Sequence, residues 1–253
     1  MRQIDLQPSD KLYVLGDVID RYPDGIKILR RIMKMPNAEM LLGNHEYMML
    51  NALNDPYDEN DPLEAFDHEG VVSLWYRNGG WVTHNYLKHI RKEIRTEIFT
   101  YLRALPLNID IEVNGTKYKL VHGAPVNHYE EYKNRFDDAT KFAVWKRWRK
   151  YDSEPEGCVM IFGHTPTIEF QNANPLKIWH APSQKRIGID CGSGFPEVEN
   201  PKRHRHNGRL ACLRLDDMTE FYSEEKEMNG DDENEQEDDS TKNQIILRLA
   251  EPK

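Results

Sequence analysis

Two short motifs bring together side chains that can hold a metal ion next to a phosphate group. Residues 16–21 read Gly-Asp-Val-Ile-Asp-Arg, and residues 43–46 read Gly-Asn-His-Glu. Aspartate, asparagine and histidine are ligands of divalent metals, and arginine presents a planar fork that suits phosphoryl oxygens. The chemistry that this combination favours is metal-assisted reaction at a phosphoester.

Two further histidines stand in the same kind of position. His122 and His164 each follow a short apolar run and lie next to a glycine. One such histidine alone would more often be a buried or capping residue. Four apolar runs that each end on a ligand-type side chain indicate a shared site, because parallel strands deliver such side chains to one edge of a sheet.

The elements around the early motifs must bring them to that edge. Residues 11–17 and 40–42 predict short strands, and residues 25–35 predict an amphipathic helix between them. A second helix is predicted from residue 47. This β-α-β-α order implies parallel strands whose carboxyl ends carry the ligands.

The later part of the chain predicts helices first and then strands in which apolar and polar residues alternate. A long helical region runs from the Gly79-Gly80 turn to residue 102, and residues 108–113 and 117–122 alternate about an Asn-Gly turn, as in a β-hairpin. Further strands are predicted at 159–162, 185–190, 209–215 and 244–249. Parallel elements early and antiparallel elements late predict an α/β fold of two packed mixed β-sheets flanked by helices.

The acidity of the chain is local. The formal net charge is -9, and residues 224–239 alone contain ten carboxylates and one lysine. The rest is therefore near neutral, which argues against a broad nucleic-acid surface. Residues 55–70 and 224–239 predict solvated loops, and for the second segment a loop is favoured over a tail that binds a partner.

Several other classes of protein are excluded by the sequence. No run approaches the roughly 20 apolar residues of a membrane span, and the first residues lack the apolar core of a secretory signal. Three widely spaced cysteines predict reduced thiols and a cytoplasmic protein. Trp145, Trp148 and Tyr151 alternate with basic residues as in a nucleic-acid patch, but their helical spacing favours packing.

The ordered motifs resemble the calcineurin-like metallophosphoesterases, specifically the bacterial branch of serine/threonine phosphoprotein phosphatases. That family carries Asp-x-His-Gly, Gly-Asp-x-x-Asp-Arg, Gly-Asn-His-Glu, a strand-end histidine and Gly-His-Thr-Pro, in this order. The last four stand here at residues 16–21, 43–46, 122 and 163–166. Residues 75–80, Trp-Tyr-Arg-Asn-Gly-Gly, also resemble this branch, and the likeness runs from about residue 3 to about residue 222.

The resemblance implies a metal centre. Asp17 would bridge two divalent ions, and Asn44, His122 and His164 would complete the ligands of the second ion. Mn²⁺ or a similar ion suits this set of donors. The implied reaction is direct attack of a metal-bound hydroxide on phosphorus, with no covalent enzyme intermediate.

The resemblance also implies roles at the substrate, a phosphorylated protein or a small phosphoester. His45 would protonate the leaving oxygen, and Asp20 would orient His45. Arg21 would clamp the phosphate. Arg147, in a Trp-x-Arg segment, is the expected second clamp, with Arg149 as the alternative.

The first family motif is absent from this sequence. None of the ten histidines has an aspartate two residues before it, so Asp-x-His does not occur in this sequence. In the family that motif ends the first, central strand and supplies the other ligands of the first metal. One complete metal site is therefore expected, either because the true start lies upstream or because the protein is a degenerate single-metal relative. The intact remaining motifs favour an upstream start.

Two regions are expected on this basis. Residues 1–222 would be a metallophosphoesterase domain that lacks its first strand at the N-terminus. Residues 223–253 would be an acidic loop or linker with a candidate final strand.

Three functions compete. The leading one is a metal-dependent phosphatase acting on phosphoserine or phosphothreonine proteins or on small phosphomonoesters, without nucleic-acid or membrane partners. A dinucleoside polyphosphate hydrolase shares the scaffold but commonly departs from the Asp20-Arg21 pair that is intact here. The absent Asp-x-His motivates a non-enzymatic protein that binds phosphate or a partner. Tyr22 replaces a usual glycine and could narrow access next to Arg21.

Overall fold

The computed structural model describes residues 4–53, 70–173, 175–194 and 208–223, and the backbone of 246–249. The acidic segment predicted at 224–239 lies outside these residues, as does nearly all of the loop predicted at 55–70. The strands run β1 Lys11–Val14, β2 Ala38–Met40, β3 Asn108–Val113, β4 Thr116–Val121, β5 Val159–Phe162, β6 Trp179–His180, β7 Arg186–Gly188, β8 Ala211–Arg214, β9 Thr219–Tyr222 and β10 Ile246–Leu249.

The first sheet presents the two early motifs. Its strand order is β2-β1-β10-β8-β9. Strands β1 and β2 pair in parallel, as predicted, so their carboxyl ends lie at the same edge. Strand β10 pairs antiparallel with β1 and parallel with β8, and it therefore takes an interior position of this sheet.

The second sheet presents the two later histidines. Its strand order is β3-β4-β5-β7-β6. The β3–β4 hairpin forms as predicted. The expectation of antiparallel elements late in the chain holds for β6–β7 and β8–β9 but is wrong for β4, β5 and β7, which pair in parallel. The long connections between these strands return the chain to the opposite end of the sheet, as parallel pairing requires.

The two sheets pack face to face, which confirms the predicted fold class of two mixed sheets with flanking helices. One core lies between them and contains side chains from both sheets. Its buried members are Tyr13, Leu15, Leu41, Tyr118, Leu120, Ile161, Leu176, Ile178, Ile187, Ile189, Cys191, Ala211, Leu213 and Leu215. A second core lies under the helices of the first sheet and includes Leu29, Trp75 and Phe99.

The helices differ from the predicted bounds at their ends. They run α1 Gly25–Ile32, α2 Asn44–Ala52, α3 Val71–Arg77, α4 Gly80–Lys88, α5 Lys92–Arg103, α6 Tyr129–Tyr132 and α7 Ala139–Trp145. None of these described helices is long and apolar enough to cross a membrane. The predicted long helix breaks between α4 and α5, where the His89 ring lies 2.7 Å from the Asn85 carbonyl and closes the last turn of α4.

The second motif belongs to a helix rather than to a loop. Helix α2 begins at Asn44, three residues before the predicted start, because the Glu46 carboxylate accepts the N–H of Gly43 at 3.1 Å. Strand β2 ends at Met40 instead of 42, because the Leu42 N–H turns away to the Pro106 carbonyl at 3.1 Å. Strands β6 and β9 were not predicted, since short strands carry little periodic pattern.

We expect Leu29→Ala in α1 to lower the free energy of unfolding by about 2–5 kcal/mol, because Leu29 is fully buried and its loss leaves a cavity. Urea unfolding would measure this. Arg31→Ala, on the exposed side of the same helix, is the matched control and should change stability far less. Equal effects of the two substitutions would contradict the packing described for α1.

Candidate active site

A buried carboxylate joins the loops that follow β1 and β2. Glu46 Oε2 accepts the N–H of Asp17 at 2.9 Å and that of Gly43 at 3.1 Å, while Oε1 accepts the N–H of Val18 at 2.7 Å. Burial and the negative charge of Asp17 raise the pKa of Glu46 to about 7. The hydrogen bonds from the backbone N–H groups of Asp17 and Val18 lower this pKa but are outweighed. Sequence analysis gave Glu46 no role, although its place three residues after Gly43 is a helix-start signal.

The two loops approach each other through glycines. A Cβ on Gly43 would lie 2.4 Å from both the N and the Oδ1 of Asp17. A Cβ on Gly16 would lie 2.7 Å from the Gly43 Cα and 2.9 Å from the His122 Nδ1. Only glycine allows this contact, which explains why each motif begins with one.

The four predicted metal ligands come together at this edge. Asp17, His122 and His164 each offer a ligand atom, and these atoms all lie within 4.8 Å of one another. Asn44 Oδ1 lies 3.0 Å from the His122 Nε2. The first sheet supplies Asp17 and Asn44 and the second supplies the histidines, so the cluster lies at the junction of the sheets.

Both histidines are oriented by backbone carbonyls. The His122 Nδ1 lies 2.6 Å from the Leu15 carbonyl, to which it donates, and this leaves the Nε2 lone pair for the cluster. The His164 Nε2 lies 3.2 Å from the Trp145 carbonyl and leaves Nδ1 for the cluster. Burial, with the nearby His122, lowers the pKa of His164 well below its usual value, so its ring is neutral. An outer hydrogen bond of this kind is typical of histidines that bind metals.

The cluster contains one firmly ionised carboxylate. Burial tends to raise the pKa of Asp17, but the electrostatic interactions with His122, His45 and His164 and the hydrogen bond from the His45 backbone N–H outweigh it and lower the pKa to about 2. One carboxylate, one amide oxygen and two imidazoles are a donor set that fits a divalent metal. The residues present therefore fit the ion that the motifs predict.

His45 and Asp20 form a buried pair next to this cluster. The His45 Nδ1 lies 2.7 Å from the Asp20 Oδ2, and the His45 N–H donates to the Asp17 Oδ1 at 3.0 Å. Burial lowers the pKa of His45, but the charge of Asp17 and the hydrogen bond to Asp20 outweigh it and raise the pKa. The Arg21 Nη2 lies 2.9 Å from the His45 Nε2, and its Nη1 donates to the Gly194 carbonyl at 3.1 Å.

Two residues that sequence analysis did not place in the site also contact Asp20. The Trp75 Nε1 lies 3.0 Å from the Asp20 Oδ2, and the Thr83 hydroxyl lies 2.6 Å from the Asp20 Oδ1. The motif at residues 75–80 suggests no role for Trp75 from sequence alone, and Thr83 lies outside every motif in the sequence.

The predicted second clamp lies at the second sheet's side of the cluster. The Arg147 Nη1 donates to the His164 carbonyl at 2.9 Å, and the residue is exposed. This contact places Arg147 next to the cluster, and the choice between it and the alternative, Arg149, stays a prediction.

The neighbouring aromatic residues mostly pack against the fold. Trp148 is buried, and the Trp145 ring meets the His164 ring edge-on at 5.8 Å between centroids. Tyr151 is 93% exposed and does not share this packing. The predicted packing therefore holds for two of the three aromatic residues.

A further carboxylate follows β7, at the same edge as the histidines. Asp190 accepts the N–H of Gly192 at 2.9 Å. Burial raises the pKa of Asp190 despite this hydrogen bond, and the charge of Asp17 raises it further. Sequence analysis included Asp190 only as a strand end, although a carboxylate after a parallel strand is a signal for such a site.

Four of the predicted site residues have left-handed backbone conformations. The φ angles are 58° at Asp17, 75° at Asp20, 64° at Arg21 and 58° at His164. A positive φ is disfavoured for residues that carry a side chain. Backbone strain of this kind concentrates at functional sites, because the surrounding contacts must hold it in place.

Comparison with known proteins agrees with the motifs. The family model for calcineurin-like phosphoesterase matches residues 1–190. Symmetrical bis(5'-nucleosyl)-tetraphosphatases from Photorhabdus laumondii and Yersinia enterocolitica are 32% identical over 75 residues and 33% identical over 85 residues. These matches cover 27% and 30% of this chain, and the chain spans only 27% and 29% of the length of these relatives.

Two solved structures are more distant. A hypothetical protein from Pyrococcus horikoshii is 17% identical, with a TM-score of 0.42 over 84% of this chain and 73% of the other. A metallophosphoesterase from Sphaerobacter thermophilus is 16% identical, with a TM-score of 0.37 over 69% of this chain and 63% of the other.

We expect Gly43→Ala to weaken Mn²⁺ binding about 10- to 100-fold, because the added methyl group would displace the Asp17 carboxylate. Titration calorimetry with Mn²⁺ would measure the affinity. Gly188→Ala is the matched control, since the three atoms nearest to its Cβ would all belong to the Phe162 ring, the first at 3.1 Å. Unchanged Mn²⁺ affinity in folded Gly43→Ala would contradict the described cluster.

Proposed function

Because the chain belongs to the calcineurin-like phosphoesterase family, we propose that it is a metal-dependent phosphatase that hydrolyses phosphoester bonds. Its proposed substrates are phosphoserine or phosphothreonine proteins or small phosphomonoesters. The observation that carries the proposal is the buried His45–Asp20 pair, in which the His45 Nδ1 lies 2.7 Å from the Asp20 Oδ2. The backbone N–H of His45 also donates to Asp17 in the donor cluster. A candidate proton donor thus lies next to a candidate metal site.

The donor cluster has a clear role in this proposal. Asp17, Asn44, His122 and His164 would hold a divalent ion, for which we propose Mn²⁺. When bound, such an ion supplies Lewis acidity and neutralises phosphoryl charge. The carbonyls that fix the two histidine rings keep the ligand nitrogens directed at the ion's position.

His45 and Arg21 would act on the substrate together. Because the His45 Nδ1 donates to Asp20, the Nε2 is the atom that can hold a proton for the leaving oxygen. In this structure the Nε2 accepts a hydrogen bond from the Arg21 Nη2 at 2.9 Å, so Arg21 would turn to the phosphate before the Nε2 takes up that proton. A phosphate clamped by Arg21 would therefore have its leaving oxygen close to the proton donor. Arg147 would hold the phosphate from the side of the second sheet.

Two alternatives rest on specific observations. The curated relatives are symmetrical bis(5'-nucleosyl)-tetraphosphatases, which favours a dinucleoside polyphosphate substrate. The intact Asp20-Arg21 pair favours the protein phosphatase branch instead. The cluster of Asp17, His122 and His164 also suits a third candidate, a protein that binds phosphate with one metal and does not turn it over.

We expect His45→Ala to lower kcat for phenyl phosphate, whose leaving group needs a proton, about 10²- to 10⁴-fold with Mn²⁺ present, because the proton donor is removed. Metal content, measured by plasma emission spectroscopy, should be unchanged. His89→Ala replaces an exposed histidine and should keep full activity. A folded, metal-loaded wild-type protein without turnover would instead favour the binding alternative.

A competition experiment separates the two enzymatic candidates. With a phosphothreonine peptide and diadenosine tetraphosphate in one reaction, we expect the peptide to be consumed first, because Asp20-Arg21 is intact. Chromatography of both substrates over time would measure the ratio of kcat/KM. A ratio in favour of the dinucleotide would replace our substrate assignment with that of the curated relatives.

A further inference from the structure

The motif at residues 75–80, Trp-Tyr-Arg-Asn-Gly-Gly, is not used by the function proposed above. It spans the end of α3 and the start of α4, and it packs against the turn that carries Asp20 and Arg21. We propose that Trp75 and Thr83 are positioning residues that hold the Asp20 carboxylate in the orientation in which it aligns His45. This inference rests on the proposed function, in which His45 gives a proton to the leaving oxygen.

The Asp20 carboxylate is held from three directions. It is fully buried, and its Oδ1 accepts the Thr83 hydroxyl at 2.6 Å. The Trp75 Nε1 lies between the two oxygens, 3.1 Å from Oδ1 and 3.0 Å from Oδ2. His45 takes the remaining side of Oδ2 at 2.7 Å. Rotation of the carboxylate would therefore break several hydrogen bonds at once.

Thr83 also fixes the backbone of Asp20. Its hydroxyl oxygen accepts the Asp20 N–H at 2.9 Å while the hydroxyl proton is donated to the Asp20 Oδ1. Asp20 has a φ of 75°, a conformation that needs support from its surroundings. One side chain thus holds both the backbone and the carboxylate of the same residue.

The two glycines of the motif make these contacts possible. A Cβ on Gly80 would lie 2.3 Å from the Trp75 Nε1, so only glycine lets the indole reach Asp20. The Gly79 carbonyl accepts the Arg21 N–H at 3.1 Å, and a Cβ on Gly79 would lie 2.7 Å from the Arg21 Cγ. The composition of the motif therefore follows from its contact with the Asp20–Arg21 turn.

Packing alone does not account for these features. Trp75 is fully buried in the core under the helices, which explains an aromatic ring at this position. It does not explain why the indole N–H is aimed at a carboxylate, or why Thr83, also buried, carries a hydroxyl instead of a methyl group. A buried carboxylate needs hydrogen-bond donors, and these two residues supply them.

The experiment compares substrates whose leaving groups differ in their need for a proton. Phenyl phosphate has a poor leaving group, whereas 2,4-dinitrophenyl phosphate releases a stable anion. With Mn²⁺ present, we expect Thr83→Val to lower kcat about tenfold for phenyl phosphate and little for the dinitrophenyl ester, at unchanged KM. Thr83→Ser keeps the hydroxyl and should restore kcat.

Trp75→Phe provides an independent variant, because it removes the indole N–H and keeps an aromatic ring. It should show the same selective loss and decides the question if Thr83→Val does not fold. Phe99→Leu is the matched control, because Phe99 lies in the same core and its hydrocarbon ring has no group that could hydrogen-bond to Asp20. It should leave the ratio of the two kcat values unchanged. Equal losses on both substrates in Thr83→Val and Trp75→Phe would overturn the proposal.

A spectroscopic measurement separates this inference from the proposed function. In the metal-free protein, NMR of the imidazole nitrogens reports whether the His45 Nδ1 carries its hydrogen-bonded proton. We expect this signal in the wild type and in Thr83→Ser, and its loss or exchange broadening in Thr83→Val and Trp75→Phe. If wild type hydrolyses neither ester but the signals change as expected, the proposed function fails and the positioning role stands. If the signals do not change, the positioning role is overturned.

Discussion

The geometry of the site depends on the buried carboxylate of Glu46. The loops after β1 and β2 leave the sheet, so their N–H groups lose strand partners, and buried N–H groups without partners are costly. Glu46 accepts such groups from both loops at once, through Gly43, Asp17 and Val18. It thereby sets the distance between the two motifs. The glycines leave room for the close approach of the loops, and the Glu46 carboxylate bonds to both loops in that position.

The candidate metal site also depends on how the two sheets pack against each other. Asp17 and Asn44 follow strands of one sheet, whereas His122 and His164 follow strands of the other. The hydrogen bond from His122 to the Leu15 carbonyl, at 2.6 Å, crosses this junction and fixes a ring of one sheet on the backbone of the other. A metal held here would link both sheets, and its binding energy would add to the stability of their packing.

The sequence predicted that Asp17, Asn44, His122 and His164 would share one edge, because each follows an apolar run that ends next to a glycine, a pattern that is local. It also predicted the β3–β4 hairpin, whose Asn-Gly turn and alternation are equally local. It did not predict Thr83, because the importance of this residue arises from an approach between distant segments, and the local signals at Glu46 and Asp190 do not reveal the long-range contacts of these carboxylates. Thr83, for example, contacts a residue 63 positions away. The parallel order of β4, β5 and β7 was missed for the same reason, since pairing partners are not written in either strand alone.

The left-handed residues at Asp17, Asp20, Arg21 and His164 have a consequence for how this protein can change. Each holds a conformation that costs on the order of 1–3 kcal/mol and that glycine would adopt without strain. Replacement by glycine therefore relieves strain while it deletes a proposed ligand or substrate contact. At the exposed Arg21 stability and activity are therefore opposed, whereas at Asp20 the loss of the buried hydrogen bonds outweighs the relief of strain. Laboratory evolution for heat resistance alone would favour glycine at Arg21, and a screen that also selects turnover would be needed to retain the arginine.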